Sequence, residues 1–421
     1  MPRHLAARAL PRARPRARPA LDRPGRRELD AQLSFAAIPG TIERLLTGSS
    51  RGATLPLAGL PERAERVLFV YLDAFAWRFL EQHARHPLLE RARADGLVLE
   101  LESQFPSTTT AHTTTLNSGL PVGAHGVYEW HILEPSLDRI ITPLMFSFAG
   151  DAVRETLAST DLTTDALFPS ETQHVRLTAA GVRSVCVMPS SFAGSSTNRA
   201  LLRGAEIVPA RGAVDALTRA CGALASSEPI HASVYLPTFD ALMHRVGPDA
   251  PAAHAELVVL LDAVAGALPL VPTGTVVLIG TDHGMAPVSP ARTAYVNVLW
   301  PELEQHLRRG ADGKPLAPAG SCRDLFLHVL PGHVDELVVG LSERLAEVAE
   351  VVETRELLED GAFGPEVSDA FLARLAEVVV LPRAGEAAWW LEPGRFEQQF
   401  FGQHGGRSPE EVEIPLLALV A

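Results

Sequence analysis

The segment FPSTTTAHTTTLNSGLPVGAHGV, Phe105 to Val127, carries six threonines and two serines. One such hydroxyl can cap a helix N-terminus by accepting from an unpaired backbone N–H, but a cap uses only one. A helix start also attracts anions such as phosphate. A hydroxyl held there is a nucleophile if something lowers its pKa. Candidates for that something lie elsewhere in the chain. Asp240 and His244 stand four apart in DALMH, Asp282 and His283 are adjacent in GTDHGM, Asp73 follows RVLFVYL, and His404 sits in GQHGG. Carboxylate and imidazole are the ligand types of hydrolytic zinc sites, which keep a coordination position open. Glycines after His283 and His404 allow tight turns that face an imidazole toward a metal. DxxxH or DHG alone is weak. All of these in one chain, with the hydroxyl-rich segment, form a specific signal.

The elements that must position these groups are legible as apolar, β-branched runs at 66–72, 183–189, 231–237 and 275–280. Such runs read as buried strands of a parallel sheet. Between them, Trp77 to Arg93 and Ala252 to Ala267 have helical spacing. The alternation predicts an α/β sandwich with helices on both faces of a mostly parallel sheet. Open α/β sheets place ligands beyond the carboxyl ends of their strands. Asp73, Asp240 and Asp282 each follow such an end, which points all three into one place. Residues 286–395 read as a smaller inserted α+β unit: LFLHVLPGHVDELVVGL as strand then helix, and LARLAEVVVLPRAGEAAWWLEP as a hairpin-like strand pair. The main domain would then span 60–285 and 396–421. Ser408 followed by Glu411 fits a capping box.

These motifs resemble the alkaline phosphatase superfamily, in particular its nucleotide pyrophosphatase/phosphodiesterase branch. The resemblance runs from about Arg66 to Ala421 and is best at the motifs. The family's nucleophile segment reads like FPTxTxPNHxTxxTG, and FPSTTTAHTTTLNSG aligns to it without a gap, which places Thr109 at the nucleophile. Asp240, His244 and the following RVGP match the family's DxxxH and Gly-Pro turn. Asp282 to Met285 match its DHGM, and His404 its last metal histidine. The resemblance implies an alkaline-phosphatase-like fold and two Zn²⁺, with Mn²⁺ a further option. One ion would be held by Asp240, His244 and His404, the other by Asp73, Asp282 and His283 with Thr109 on the substrate side. It implies a hydrolase acting on phosphodiester or pyrophosphate bonds of small, nucleotide-like substrates through a phosphothreonine. Better-known members carry an asparagine three residues after the nucleophile. Here His112 stands there, with Ala111 in place of the preceding proline, and His112 is expected to donate to a phosphate oxygen. His125 is expected to order the loop that follows.

Other readings carry different tests. A sulfatase would need a C/S-x-P-x-R context, and the segment has none. A phosphomonoesterase or phosphomutase needs extra positive charge for a dianion, and no Arg or Lys occurs between Arg93 and Arg139; this favours diesters. A silent, metal-stabilised phosphate-binding module would require lost ligands, and none is lost. Phe75, Trp77, Tyr128 and Trp130 are candidates for a nucleobase platform, and equally for core.

Composition sets outer limits. The 421 residues are 47% hydrophobic and 21% charged, ordinary for a large globular domain, with a net charge of -13. That balance disfavours a general nucleic-acid binder. Cys186, Cys221 and Cys322 are far apart, with neither disulfide nor zinc spacing. They read as small buried hydrophobes in a reducing, cytoplasmic setting. The first 27 residues hold nine arginines and one acid, so residues 1–30 are expected to form a disordered tail. No apolar stretch follows as in a secretory signal. AELVVLLDAVAGALPLVP, interrupted by Asp262 and two prolines, does not read as a membrane span.

Overall fold

The apolar runs form the centre of a seven-stranded sheet. In the computed structural model, which describes residues 33–421, its strands are β1 (Arg66–Leu72), β2 (Leu97–Glu102), β3 (Arg183–Pro189), β4 (Glu206–Ala210), β5 (Ile230–Leu236), β6 (Val276–Gly280) and β7 (Glu413–Val420). Their spatial order is β2-β7-β6-β1-β5-β3-β4. Strands β6, β1, β5, β3 and β4 run parallel. β7 lies antiparallel to both β6 and β2. The sheet is thus mixed and mostly parallel. The expected tail at 1–30 lies outside the described residues.

Both faces of the central strands are covered, which is why β1, past Arg66, and β6 are apolar throughout. On β1, Leu68, Val70 and Leu72 pack in one core cluster, while Val67, Phe69 and Tyr71 pack in another. The second cluster includes helix α1 (Ala37–Thr47), whose Ile38, Ile42, Leu45 and Leu46 are buried. Pro39 and Gly40 obscure α1 in the sequence, but a proline in a first turn breaks no intrahelical bond. The catalytic candidate Thr109 opens helix α2 (Thr109–Ser118). Helices α3 (Thr238–Val246) and α4 (Pro251–Ala267) cover the opposite face. Pro251–Leu270 is long and apolar enough to cross a membrane. Its Leu257, Leu260, Leu261 and Val264 are nevertheless buried in the core beneath the sheet. The segment expected as one helix at 77–93 is two, Trp77–Gln82 and Pro87–Asp95, the second starting at Pro87 with His86 as its cap.

A second sheet follows β6. Strands Ala319–Ser321, Asp324–Leu327, Val378–Pro382 and Ala349–Glu353 lie side by side in that order, all antiparallel. Helix α5 (Val334–Arg344) packs on them. The expected hairpin at 372–393 does not form. Val378–Pro382 lies between two other strands, and Ala388–Trp389 pairs in parallel with Ala294–Tyr295. Gly385, at φ 78, turns the chain away between them. The core of this unit is continuous with Val127, Ile132, Ile141 and Leu157 from the segment after α2.

A buried ion pair joins the two sheets. Arg323 and Glu411 are both fully buried, and the guanidinium donates to both carboxylate oxygens, at 3.0 and 2.7 Å. Glu411 also closes the capping box with Ser408 and accepts from the Gly406 N–H at 3.0 Å. Burial opposes its ionisation. The Arg323 charge and the Ser408 and Gly406 donors outweigh that and hold it below the usual carboxylate range. Cys186, Cys221 and Cys322 are buried and unpaired.

Candidate active site

Strands β6, β1 and β5 are adjacent, and each delivers a carboxylate just past its C-terminal end. Asp73 follows β1, Asp282 follows β6, and Asp240 sits in the first turn of α3 after β5. Backbone geometry tightens the corner. Ala74 adopts φ 63, and its N–H donates to Asp282 Oδ1 at 3.4 Å. A side chain at Gly284 would place Cβ 2.0 Å from the Glu410 carbonyl. The glycine after His283 is therefore needed for close approach. Gly405, after His404, is needed for its φ of 124.

Three histidines complete two clusters, Asp73–Asp282–His283 and Asp240–His244–His404, each with ligand atoms within 4.8 Å of one another. In each imidazole, Nδ1 donates to a backbone carbonyl: His283 to Gly284 at 2.9 Å, His244 to Gly402 at 2.8 Å, His404 to Ser107 at 3.0 Å. This fixes the ring orientation and leaves Nε2 facing the carboxylates. His283 Nε2 lies 3.1 Å from Asp282 Oδ2 and 3.7 Å from Asp73 Oδ1. His244 and His404 Nε2 lie 3.4 and 3.8 Å from Asp240 Oδ1. The His283 and His404 rings stack at 3.7 Å, which brings the two clusters together.

The clusters fit cations. Asp73 Oδ1, Asp240 Oδ1 and Asp282 Oδ2 are buried with no hydrogen-bond partner in the protein, and such oxygens require an explanation. They are the oxygens that face the imidazole Nε2 atoms. Burial, then the charges of Asp282 and Asp240, push the Asp73 carboxyl well above its usual range. Burial likewise raises Asp240. For Asp282 burial acts upward too, but the adjacent His283 wins and lowers it. Burial and the nearby His283 and His244 push His404 down. Two divalent ions would relieve this repulsion and satisfy all three oxygens. The donor set of imidazole and carboxylate suits Zn²⁺, and Mn²⁺ to a lesser degree.

The threonines sort into different roles. Thr109 Oγ1 lies 3.0 Å from His283 Nε2, at the first residue of α2. Thr114 and Ser118 donate back to carbonyls four residues earlier, Thr110 and Thr114. Thr115 bonds Gln104 and His125. His125 in turn accepts the Val127 N–H through Nδ1, as a loop-ordering residue should. Thr108 makes no side-chain cap.

His112 does not reach a phosphate position. The ring is fully buried, 4.7 Å from the Phe35 ring. Its Nδ1 donates to the Thr108 carbonyl at 2.7 Å, and its Nε2 accepts from the Gln104 N–H at 3.0 Å. Burial lowers its pKa to about 4, so it is neutral. The ring packs instead against Phe35, just before α1, and the Ser103–Gln104 segment. The expected donor role is therefore corrected: His112 orders the turn before α2.

A cavity of about 810 Å³ opens over both clusters. Of the four aromatic candidates only Trp130 lines it. Phe75 and Tyr128 are fully buried, and Trp77 packs against the core. Trp389, Phe396 and Phe400 line it as well. So do Arg154 and Arg395, which supply positive charge that the α2 segment lacks. Each donates to a backbone carbonyl, Leu144 and Ala149 respectively, and Arg395 also pairs with Glu392. Tyr235, on β5, donates to Asp73 Oδ2 at 2.5 Å. Sequence reasoning missed it because a tyrosine in an apolar strand reads as core.

The same architecture occurs in solved structures. Murine ectonucleotide pyrophosphatase/phosphodiesterase 5, in an inactive form in complex with AMP, superposes with a TM-score of 0.62 at 16% identity, over 84% of this chain and 87% of that one. The human counterpart gives 0.61 at 16% identity, over 84% and 87%. Phosphonoacetate hydrolase from Sinorhizobium meliloti, in complex with phosphonoacetate, gives 0.59 at 16% identity, over 84% and 89%. Comparison with curated protein sequences gave no match. The family described as type I phosphodiesterase / nucleotide pyrophosphatase matches residues 67–406. The chain therefore belongs to that family of metal-dependent phosphoester hydrolases, within the alkaline phosphatase superfamily.

Proposed function

We propose that this protein is a two-metal hydrolase of small phosphodiesters or pyrophosphates, with Thr109 as nucleophile. One observation carries the reading. Thr109 Oγ1 sits at a helix N-terminus, 3.0 Å from His283 Nε2, beside two clusters with orphaned carboxylate oxygens. Asp73, Asp282 and His283 would hold one Zn²⁺, and Asp240, His244 and His404 the other. When bound, such ions stabilise an alkoxide at neutral pH and the negative charge on a departing oxygen.

The protein groups supply the rest. Thr109 Oγ1 gives its proton to water in the cavity and attacks phosphorus in line, and the P–O bond to the leaving group breaks with its electron pair on that oxygen, which takes up a proton from water. The first-turn N–H groups of α2 lack intrahelical partners and face the phosphoryl charge. Water then attacks the phosphothreonine, restoring the Thr109 hydroxyl and releasing the phosphate. Tyr235 keeps Asp73 oriented through both steps. The cavity above accommodates a leaving group of nucleotide size, and Trp130 offers it an aromatic face. The AMP complex of the similar murine structure supports placing nucleotides among the substrates.

A monoesterase is favoured by one observation, the presence of Arg154, Arg245 and Arg395 in the cavity wall. Arg395 is partly neutralised by Glu392, and no Arg or Lys lies in the α2 segment itself, so the diester reading keeps precedence. The test is turnover, with added Zn²⁺, of chromogenic mono- and diesters, dinucleotides, nucleotide sugars and phosphonoacetate. Diester or pyrophosphate hydrolysis at least tenfold above the monoester is expected. Monoester preference, or phosphonate cleavage alone, would overturn it.

A further inference from the structure

We propose a third divalent-cation site, outside the cavity, formed by His306, His333 and Glu336 in the unit that follows β6. His306 Nδ1 lies 3.1 Å from His333 Nδ1 and 3.8 Å from Glu336 Oε2, and all three ligand atoms lie within 4.8 Å of one another. At a Zn–N distance of about 2.05 Å, ligands on a tetrahedral ion sit about 3.3 Å apart. The two shorter spacings bracket that edge. A single hydrogen bond between the imidazoles would use one lone pair and leave Glu336 outside it. One Zn²⁺ would take both Nδ1 lone pairs and the carboxylate, leaving a position for water.

The ligands come from two segments that the fold already holds together. An antiparallel bridge pairs Leu307 with Val329, the Leu330 N–H donates to the His306 carbonyl at 2.8 Å, and the His333 N–H donates to the Leu330 carbonyl at 3.0 Å. His333 caps the start of α5, and Glu336 lies in its first turn. Trp300 packs against His306, with ring centres 4.9 Å apart, and against α5, where a Cβ on Gly340 would meet its ring. His306 is buried while Glu336 is exposed. An ion can therefore enter from solvent onto a nearly preformed histidine pair. Its role is to clip the turn at 301–306 to α5.

The test counts metal in the full chain after Zn²⁺ loading and desalting. Wild type is expected to hold three equivalents and His306→Ala/His333→Ala two, with phosphoester kcat unchanged. Asp240→Asn/His244→Ala should lose a different equivalent and keep this one. Glu336→Gln, at an exposed position safe for folding, should weaken this ion by more than the roughly 10–100-fold typical of losing an outer partner. Co²⁺ loaded into Asp240→Asn/His244→Ala should give a visible absorption that loses one Co²⁺ equivalent's share when the histidine pair is also replaced. Equal metal content and affinity in wild type and His306→Ala/His333→Ala would overturn the site and leave a simple imidazole hydrogen bond. A wild type holding only the histidine-dependent ion would instead overturn the two-metal reading of the cavity while upholding this one.

Discussion

Replacing Tyr235 by Phe isolates one atom of the proposed centre. The hydroxyl donates to Asp73 Oδ2 at 2.5 Å, while Asp73 Oδ1 faces His283 and has no protein partner. The ring itself packs on Tyr71 at 5.0 Å and Phe192 at 6.1 Å, contacts a phenylalanine preserves. The substitution thus removes a hydrogen bond to a charged acceptor and little else. Such a bond is worth about 1.5–3 kcal/mol, or roughly 10- to 150-fold in an equilibrium constant. That range overlaps the 10–100-fold seen when outer partners of metal ligands are removed. The loss should fall on affinity for the ion bound by Asp73, Asp282 and His283. In a competition titration against a zinc chelator, one binding phase should weaken by that factor, and the phase due to Asp240, His244 and His404 should not move. Activity at saturating Zn²⁺ should return close to wild type. Unchanged affinity in both phases, or equal weakening of both, would refute the assignment of Tyr235 to Asp73 as a ligand-orienting residue.

Other substitutions probe separate links. Thr109→Ala should lower kcat by about 10³-fold or more with an unchanged melting temperature, whereas Thr110→Ala, whose hydroxyl is buried without a partner, should keep most activity. His112→Ala should cost about 1–3 kcal/mol of stability, the scale of leaving its buried partners unsatisfied, yet kcat measured well below the melting temperature should stay within a fewfold of wild type. Arg323→Met strands Glu411 as a buried charge and should cost about 3–5 kcal/mol by denaturant unfolding. Because the folded pKa of Glu411 is depressed, its contribution is complete above the unfolded value of about 4.3 and fades as pH falls through the folded one. The stability gap between wild type and Glu411→Gln should accordingly close on acidification from pH 5 downward.

The site was legible where chemistry sits at the ends of strongly patterned elements. Asp73, Asp240 and Asp282 could be placed together because three apolar runs predict buried parallel strands, and such strands deliver their next residues to one edge. His244 follows from Asp240 by one helical turn, and the glycines flanking His283 and His404 mark turns with steric needs that the structure bears out. His112 failed because a helical position fixes only a side chain's direction; what it meets there, Phe35 and the Ser103–Gln104 segment, is set by tertiary packing. Tyr235 is invisible as a polar residue because the strand around it is apolar on both faces. Arg323 and Glu411 are 88 residues apart, and no local pattern links them. The hairpin expected near 372–393 misfired because local strand propensity says nothing about which partner a strand finds.

The central claim, covalent participation of Thr109, is tested most directly by rapid acid quenching during turnover of a diester substrate, followed by peptide mapping. The account predicts one phosphoryl or nucleotidyl group on the peptide containing Phe105 to Val127, located on Thr109 and missing from Thr109→Ala. A modification on any other residue, or full turnover by Thr109→Ala with no modified peptide in wild type, would contradict it.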